Sequence, residues 1–389
     1  MPSSQPIVIF GASVRAAAFS ALRAGLQPWC ADLFSDADLQ ASCPAIRISS
    51  SAYSKGFVAL AAKAPPGPWM YTGGLENYPA LVERISASRP LWGNSAATLS
   101  IARSPVALAS IFRSNGISFP MVHEFSTKLP QQGRWLVKPR RGAGGAGIHF
   151  HNSIGTRRSS NKQVYFQEYI EGVPCSAVYI GLENGAKLLG TTRQFVGETW
   201  LSAAPFHYCG SFGPLPLEPP IQREVERVGN VLAQECLLRG LFGVDFILSE
   251  GIPWPVEVNP RYPASTEILE YALGIKAMSF HRVAFDANRP ELLPLANAPG
   301  SETEVPFIGK AILFAKRSLE FPKKGPWTSS VGRKPIEKMP DFADIPEPGR
   351  IIKAGAPILT FFAQSTTKNG CLDDLKERAQ ALDHYLWKP

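Results

Sequence analysis

The chain is short of the residues that bind transition metals or crosslink a fold. It has six cysteines and six histidines in 389 residues, and no CxxC pair. That spacing argues against a zinc site and against a disulfide framework. No run of five like charges occurs, so the formal charge of +8 reads as a basic enzyme surface and not as a nucleic-acid patch. No apolar run approaches the ~18 residues of a membrane span. Met1 to Gln5 leads straight into Ile7–Phe10 without a basic leader region. A reduced, soluble, cytoplasmic protein with no nucleic-acid or membrane partner is the expectation. Internal repeats and low-complexity tracts are also missing, which argues against solenoids and linker-rich scaffolds. What remains is globular composition, 45% hydrophobic and 19% charged, in a chain long enough for two to four domains.

The opening IVIFGASVRAAAFSALRAGLQPWCADL reads as strand, glycine turn at Gly11, alanine-rich helix and second strand ending at Asp32. This is a βαβ start. Ser13 and Ala16 stand where a dinucleotide fingerprint would place its second and third glycines, so the expectation is a Rossmann-like scaffold that binds no dinucleotide. WMYTGGLENYP repeats the strand and turn, with Gly73 and Gly74 read as a turn. The pattern changes near residue 100. From Trp135 to about Asn297 strands predominate around one helix, Ile221 to Arg239, and a polar stretch at Asn297–Pro306 leads to short β-like runs and a charged helix from Leu372 to Leu386. The expected domains are 1–100, 101–300 with an internal split near 170, and a small β-rich region at 301–389.

Three motifs carry chemistry. WLVKPRRGAGGAGIHF is a strand ending at Lys138, then a loop with Gly142, Gly144, Gly145 and Gly147, then another strand. Glycines there leave backbone N–H groups free to wrap phosphate oxygens, and Lys138 supplies a point charge. The order of residues is not that of GxxxxGK[ST], so the expected device is a flap between strands, with a plain flexible hairpin as the alternative. VYFQEYIEG, from Val164 to Gly172, is a strand leaving into a hinge where Glu168 and Ile170 could offer backbone groups to a base edge while Tyr169 points away. GLFGVDFILSEGIPWPVEVNPRYPAS reads as a hairpin that sets Asp245 beside Glu257, with Asn259 and Arg261 following on the face of Glu257. Oxygen-only ligands favour Mg²⁺ or Mn²⁺ bridging phosphates, and Arg261 is placed to stabilise developing negative charge. A charged hairpin edge is the alternative.

Lys-Pro followed by a glycine flap, QEYIEG and D-x11-E-x-N-x-R, in this order over Arg103 to Asp286, resemble the ATP-grasp superfamily, and the first hundred residues resemble its pre-ATP-grasp domain. The resemblance implies a mixed fold, α/β then α+β, with ATP held between two subdomains. It implies ATP and Mg²⁺ (or Mn²⁺) as cofactors, with Asp245, Glu257 and Asn259 as metal ligands. Lys138, Arg103 and Gly142, Gly144, Gly145 and Gly147 would bind phosphates, and Glu168, Tyr169 and Ile170 would form the adenine hinge. Lys138 and Arg261 would act on the reacting groups. Two positions depart from the family pattern: Arg103 stands where many members have a lysine, and the ribose-binding glutamate falls on Cys175, leaving Glu171 as its substitute. The tail from Asp344 to Ala363 is similar to biotin-carboxylase-like members. The implied activity is a carboxylate–amine ligase working through an acyl phosphate, on an amino acid such as glutamate or on a small cofactor precursor. Arg193 and Tyr262 are candidate neighbours of the substrate carboxylate, and a homodimer is compatible. A bicarbonate-using carboxylase and a non-catalytic nucleotide-binding module are the alternatives.

Overall fold

The computed structural model describes residues 5–53, 55–130, 132–151, 163–286, 305–332 and 336–387, so most of the polar stretch at 297–306 lies outside the described residues. The chain begins with β1 (Pro6–Phe10), α1 (Arg15–Arg23), β2 (Gln27–Asp32), α2 (Ala37–Gln40), β3 (Ala45–Arg47), α3 (Lys55–Lys63), β4 (Trp69–Tyr71) and α4 (Pro79–Ser86). The four strands form a parallel sheet in the order β3-β2-β1-β4. Alternation along β1 explains why it is apolar throughout. Ile7 and Ile9 pack with the alanines of α1, while Val8 and Phe10 face Phe57, Trp69 and Tyr71 on the other side.

Next come α5 (Ala96–Ala102) and α6 (Pro105–Ser114), each started by a serine whose hydroxyl accepts a backbone N–H, Ser95 from Thr98 at 3.2 Å and Ser104 from Ala107 at 3.3 Å. They lead to β5 (Val122–His123), β6 (Trp135–Pro139), β7 (His149–Phe150) and β8 (Val164–Glu168), a small antiparallel sheet in the order β5-β8-β6-β7. The glycine loop joins β6 to β7, as a flap between strands requires.

The rest of the chain builds one large sheet. Its elements are β9 (Val173–Leu182), β10 (Gly185–Val196), β11 (Tyr208–Gly213), α7 (Pro219–Glu235), β12 (Gly240–Ser249), β13 (Ile252–Asn259), α8 (Thr266–Leu273), α9 (Ala277–Val283), β14 (Phe307–Phe314), β15 (Leu319–Glu320), β16 (Phe342–Ala343), β17 (Ile351–Ile352), β18 (Pro357–Ser365) and α10 (Lys368–Leu386). Eight strands run in the order β13-β12-β9-β10-β11-β14-β18-β16, and β15 pairs with β17 as a separate ribbon. The tail that reads as a small accessory region therefore extends the same sheet that carries Asp245, because β14 finds its partner in β11. Helix α7 stops at Glu235, short of Arg239, where Leu237 takes a left-handed φ of 57°.

Strand β9 sits where the cores meet. Ala177 and Tyr179 pack against Val225, Val228 and Leu232 of α7, while Val178 and Ile180 face the opposite way, toward Ile7, Ile9 and Ala17 of the N-terminal unit. A buried set of charges also ties that unit to the sheet. Arg15, fully buried on α1, donates to Glu267 of α8 and to both carboxylate oxygens of Asp344 at 3.0 Å, and Lys310 of β14 donates to Glu267 at 3.0 Å. Burial works against the charge of Glu267, but Arg15 and then Lys310 hold its carboxyl well below the ordinary range. Nearby, Arg23 and Ser20 both donate to Glu270.

Candidate active site

A cavity of about 750 Å³ lies between the small sheet and the large one. Its walls include Lys138, Gly144, Gly145, Glu168, Tyr169, Ile170, Asp245, Glu257, Asn259 and Arg261, so most of the sequence-derived candidates converge on one space. Gly142 and Arg103 line a smaller adjoining cavity that shares Lys138, Gly145 and Glu257 with it. Gly147 and Glu171 lie outside the main wall, as do Arg193 and Tyr262. Tyr262 is buried, with its hydroxyl 3.5 Å from Glu270, and the Arg193 guanidinium sits 6.0 Å from the Phe212 ring.

The β12–β13 hairpin forms as its alternating pattern demands, with Asp245 paired across from Glu257. Asn259 links two of the site's charges. Its Nδ2 donates to Asp245 at 3.0 Å, and its Oδ1 accepts from Arg261 at 2.9 Å. Arg261 in turn donates through Nε to Glu76 at 2.9 Å, a buried carboxylate from the N-terminal unit, so that unit helps to aim the arginine. Arg103 donates to Glu257 at 2.7 Å and also reaches the carbonyl of Gly142 at 3.4 Å. The two carboxylates titrate differently. Burial, and then the charge of Glu257, pushes Asp245 up to about 6, whereas Arg103 and then Lys138 hold Glu257 below its usual range despite its burial.

The flap rests on the opposite wall. Gly144 accepts from the Tyr208 N–H at 3.1 Å, and a Cβ built at Gly145 would stand 1.8 Å from the Phe206 carbonyl oxygen. Only glycine lets the loop approach that closely, and its φ of +81° asks for glycine as well. Lys138 is buried and donates to Gln167 at 2.9 Å and to the Val256 carbonyl at 3.3 Å. At the hinge the N–H groups of Glu168 and Tyr169 bond to the Met121 and Arg134 carbonyls, while that of Ile170 has no partner among the described residues. Tyr169, expected to point away, is part of the wall, and its ring packs edge-on against Phe150 with the Arg134 guanidinium 4.6 Å from its centroid.

Several contributors escaped the motifs. Gln194 donates to Asp245 at 2.9 Å from β10, and Ser176 stands opposite Asp245 on β9. Gln167, which lies inside VYFQEYIEG but has no role assigned there, accepts from Lys138 and orients it. The only sequence signal for them is polar side chains in otherwise apolar strands. Cys175, which takes the ribose position in the family pattern, is fully buried among apolar residues and its thiol is pushed up to about 12 by burial.

Residues 103–265 match the model of the ATP-grasp domain. The chain carries an ATP-grasp domain. ATP and Mg²⁺ are the typical cofactors of ATP-grasp enzymes. The chain is 25% identical over 241 residues to an uncharacterized protein of Methanocaldococcus jannaschii, covering 60% of this chain and 52% of that one. It is 24% identical over 205 residues to the carbamoyl phosphate synthase large chain of Saccharolobus solfataricus, covering 52% of this chain and 18% of that one. It thus spans about half of the first relative and under a fifth of the second. Among solved structures it resembles an L-amino acid ligase from Bacillus licheniformis at a TM-score of 0.68 and 14% identity, with 98% of each chain covered.

The residues of this ATP-grasp site fit the cofactors on their own chemistry. Among the described residues no group of three or more His, Cys, Asp or Glu gathers, so any metal must complete its shell with amide and ligand oxygens, as Mg²⁺ does on phosphates. Asp245 and Glu257, paired across the hairpin, set two carboxylates side by side whose charge a divalent cation would offset. Ile170, whose N–H has no partner among the described residues, lines a cavity with apolar walls at Leu136, Ile148, Phe150 and Ile247, which suits a planar base.

Proposed function

We propose that this chain is an ATP- and Mg²⁺-dependent ligase that activates a carboxylate as an acyl phosphate for attack by an amine, on an amino acid or a small cofactor precursor. The observation that carries the reading is the arrangement around one cavity. Asp245 and Glu257 pair across a hairpin, Asn259 joins Asp245 to Arg261, and Lys138 and the glycine flap stand opposite. Bound ATP supplies the phosphoryl group, and the metal neutralises its charge. The chain's own residues then position and stabilise. Asp245, Glu257 and Asn259 would hold the metal, Lys138 and the amides of Gly144 and Gly145 would meet phosphate oxygens, and Arg261 would stabilise negative charge on the reacting carboxyl group. The Cys175 thiol, buried and protonated at neutral pH, has no role in this scheme.

A coupled ADP-release screen of the purified protein against paired acids and amines, with products identified by mass, tests the assignment. Glu257→Gln and Lys138→Ala should each lower the substrate-stimulated rate at least a hundredfold, at the scale of a lost transition-state contact, with the fold intact. Normal turnover in either variant would sink the assignment. ADP release that needs bicarbonate and no amine would move it to the carboxylase class.

A further inference from the structure

A second cavity, about 450 Å³, opens at the carboxyl ends of β1, β2 and β3, where Ser13, Asp36 and Arg47 meet Arg350 and Lys353 from the C-terminal part of the chain. Crevices beyond the carboxyl ends of parallel strands are where α/β sheets bind ligands. Its wall carries three cations, Arg47, Arg350 and Lys353, and two acids, Asp36 and Asp344. Arg350 donates to the Phe34 carbonyl at 2.9 Å, and its nearest carboxylate, Asp36, is 4.0 Å away. Arg47 reaches only the Leu33 carbonyl, at 3.3 Å, and neither it nor Lys353 has an ion pair among the described residues. Of the two acids on the wall, Asp344 is already bonded to Arg15 and accepts from Thr360 at 2.5 Å. Asp36 is pushed well above the ordinary carboxyl range by burial and then by Asp344, and it stands no closer than 4.0 Å to Arg350. Arg350 is lowered, by burial first and by the neighbouring Arg47 second, against the opposing pull of Asp36, Asp32 and Glu347.

We propose that this cavity is a binding site for a small organic anion, whose phosphate or carboxylate group lies between Arg47, Arg350 and Lys353 and whose apolar part rests on Phe34, Ile312 and Ile358. Planar guanidinium forks suit both oxyanions, and a wall of mixed character favours an anion with an apolar body over a bare ion. A chain of bonds links the site to the first. Asp344 on its wall bonds Arg15, Arg15 bonds Glu267, Glu267 bonds Lys310, and Lys310 donates to the carbonyl of Ala264 at 3.4 Å, a residue on the wall of the main cavity.

The proposal does not rest on the ligase reading and is tested without ATP or turnover. Phenyl phosphate and benzoate are titrated calorimetrically into the whole chain at constant chloride. At least one should bind, and Arg47→Gln and Arg350→Gln should each weaken it tenfold or more, while Lys138→Ala, in the other cavity, leaves it unchanged. Arg350 also bonds backbone, so Arg47→Gln, on an exposed side chain, decides the matter if Arg350→Gln unfolds. Binding of neither probe, affinity unchanged in Arg47→Gln, or loss in Lys138→Ala would overturn the site. Whether phosphate or carboxylate binds more tightly tells which oxyanion the natural ligand carries.

Discussion

At the scale of single residues, the site depends on side chains that hold other side chains. Asp245 receives amide hydrogens from Gln194 and Asn259, and Glu257 receives Arg103, so both carboxylates are fixed before any ligand arrives. The motif residues were legible because spacing alone sets them on one face of a hairpin. Gln194, Ser176 and Glu76 were not, since strand pairing and the docking of the first unit, both long-range events, bring them there. His281 shows how far a buried residue can matter. Its Nδ1 accepts from the Leu241 N–H at 2.8 Å, its Nε2 lies 3.1 Å from the Trp92 carbonyl, and burial lowers it from 6.5 to about 4. A native value below the unfolded one means that the unfolded chain takes up the proton first as pH falls. Stability is therefore full above about pH 6.5 and declines toward pH 4, by on the order of 3 kcal/mol at most. Buried Asp32, raised to about 6, acts in the opposite sense, so the test is a difference. Denaturant midpoints of wild type and His281→Phe should converge as pH drops from 7 to 4; a constant gap would refute the assignment.

At the scale of elements, the glycine flap is a strand connection that works only because one of its positions has no side chain. Gly145→Ala must move the loop away from the Phe206 carbonyl, since the added methyl would sit at 1.8 Å. The expected outcome is at least tenfold weaker ATP binding, measured by titration, with a melting temperature within about 2 °C of wild type, because loop substitutions outside a core cost little stability. Unchanged ATP affinity would show that the flap's docked position is irrelevant to the nucleotide. Elements were readable in the sequence in proportion to their local signals. The first βαβ, the flap and the β12–β13 hairpin announce themselves through period and turn residues. The end of α7 does not, because Cys236 to Leu238 remain apolar past the point where Leu237 turns left-handed. Similarly, PFIGKAILFA and PILTFFA could be recognised as strands, but nothing local says that they would join the sheet of Asp245.

At the scale of the whole molecule, the N-terminal unit is bolted on by charge as well as by apolar contact. Arg15 is the common partner of Glu267 and Asp344, and removing one member of a buried ionic set leaves the others uncompensated. Arg15→Met should destabilise by about 3–5 kcal/mol. It should also separate the unfolding of residues 5–86 from that of the large sheet, seen as two transitions by calorimetry or as early proteolysis of the first unit. A single transition at the wild-type temperature would show that the apolar contacts of Ile7, Ile9 and Ala17 suffice. The order of the large sheet has a consequence for how the protein is made. Strand β9 leaves the ribosome about sixty residues ahead of its partner β12, and β11 waits about a hundred for β14. The parallel unit can collapse early, as N-terminal units do during synthesis, but the phosphate-facing sheet cannot close its far side until the last fifth of the chain has emerged. Translation halted before β18 would thus yield a polypeptide that carries every residue of the proposed site and still leaves the apolar face of β14 exposed, a natural client for chaperones.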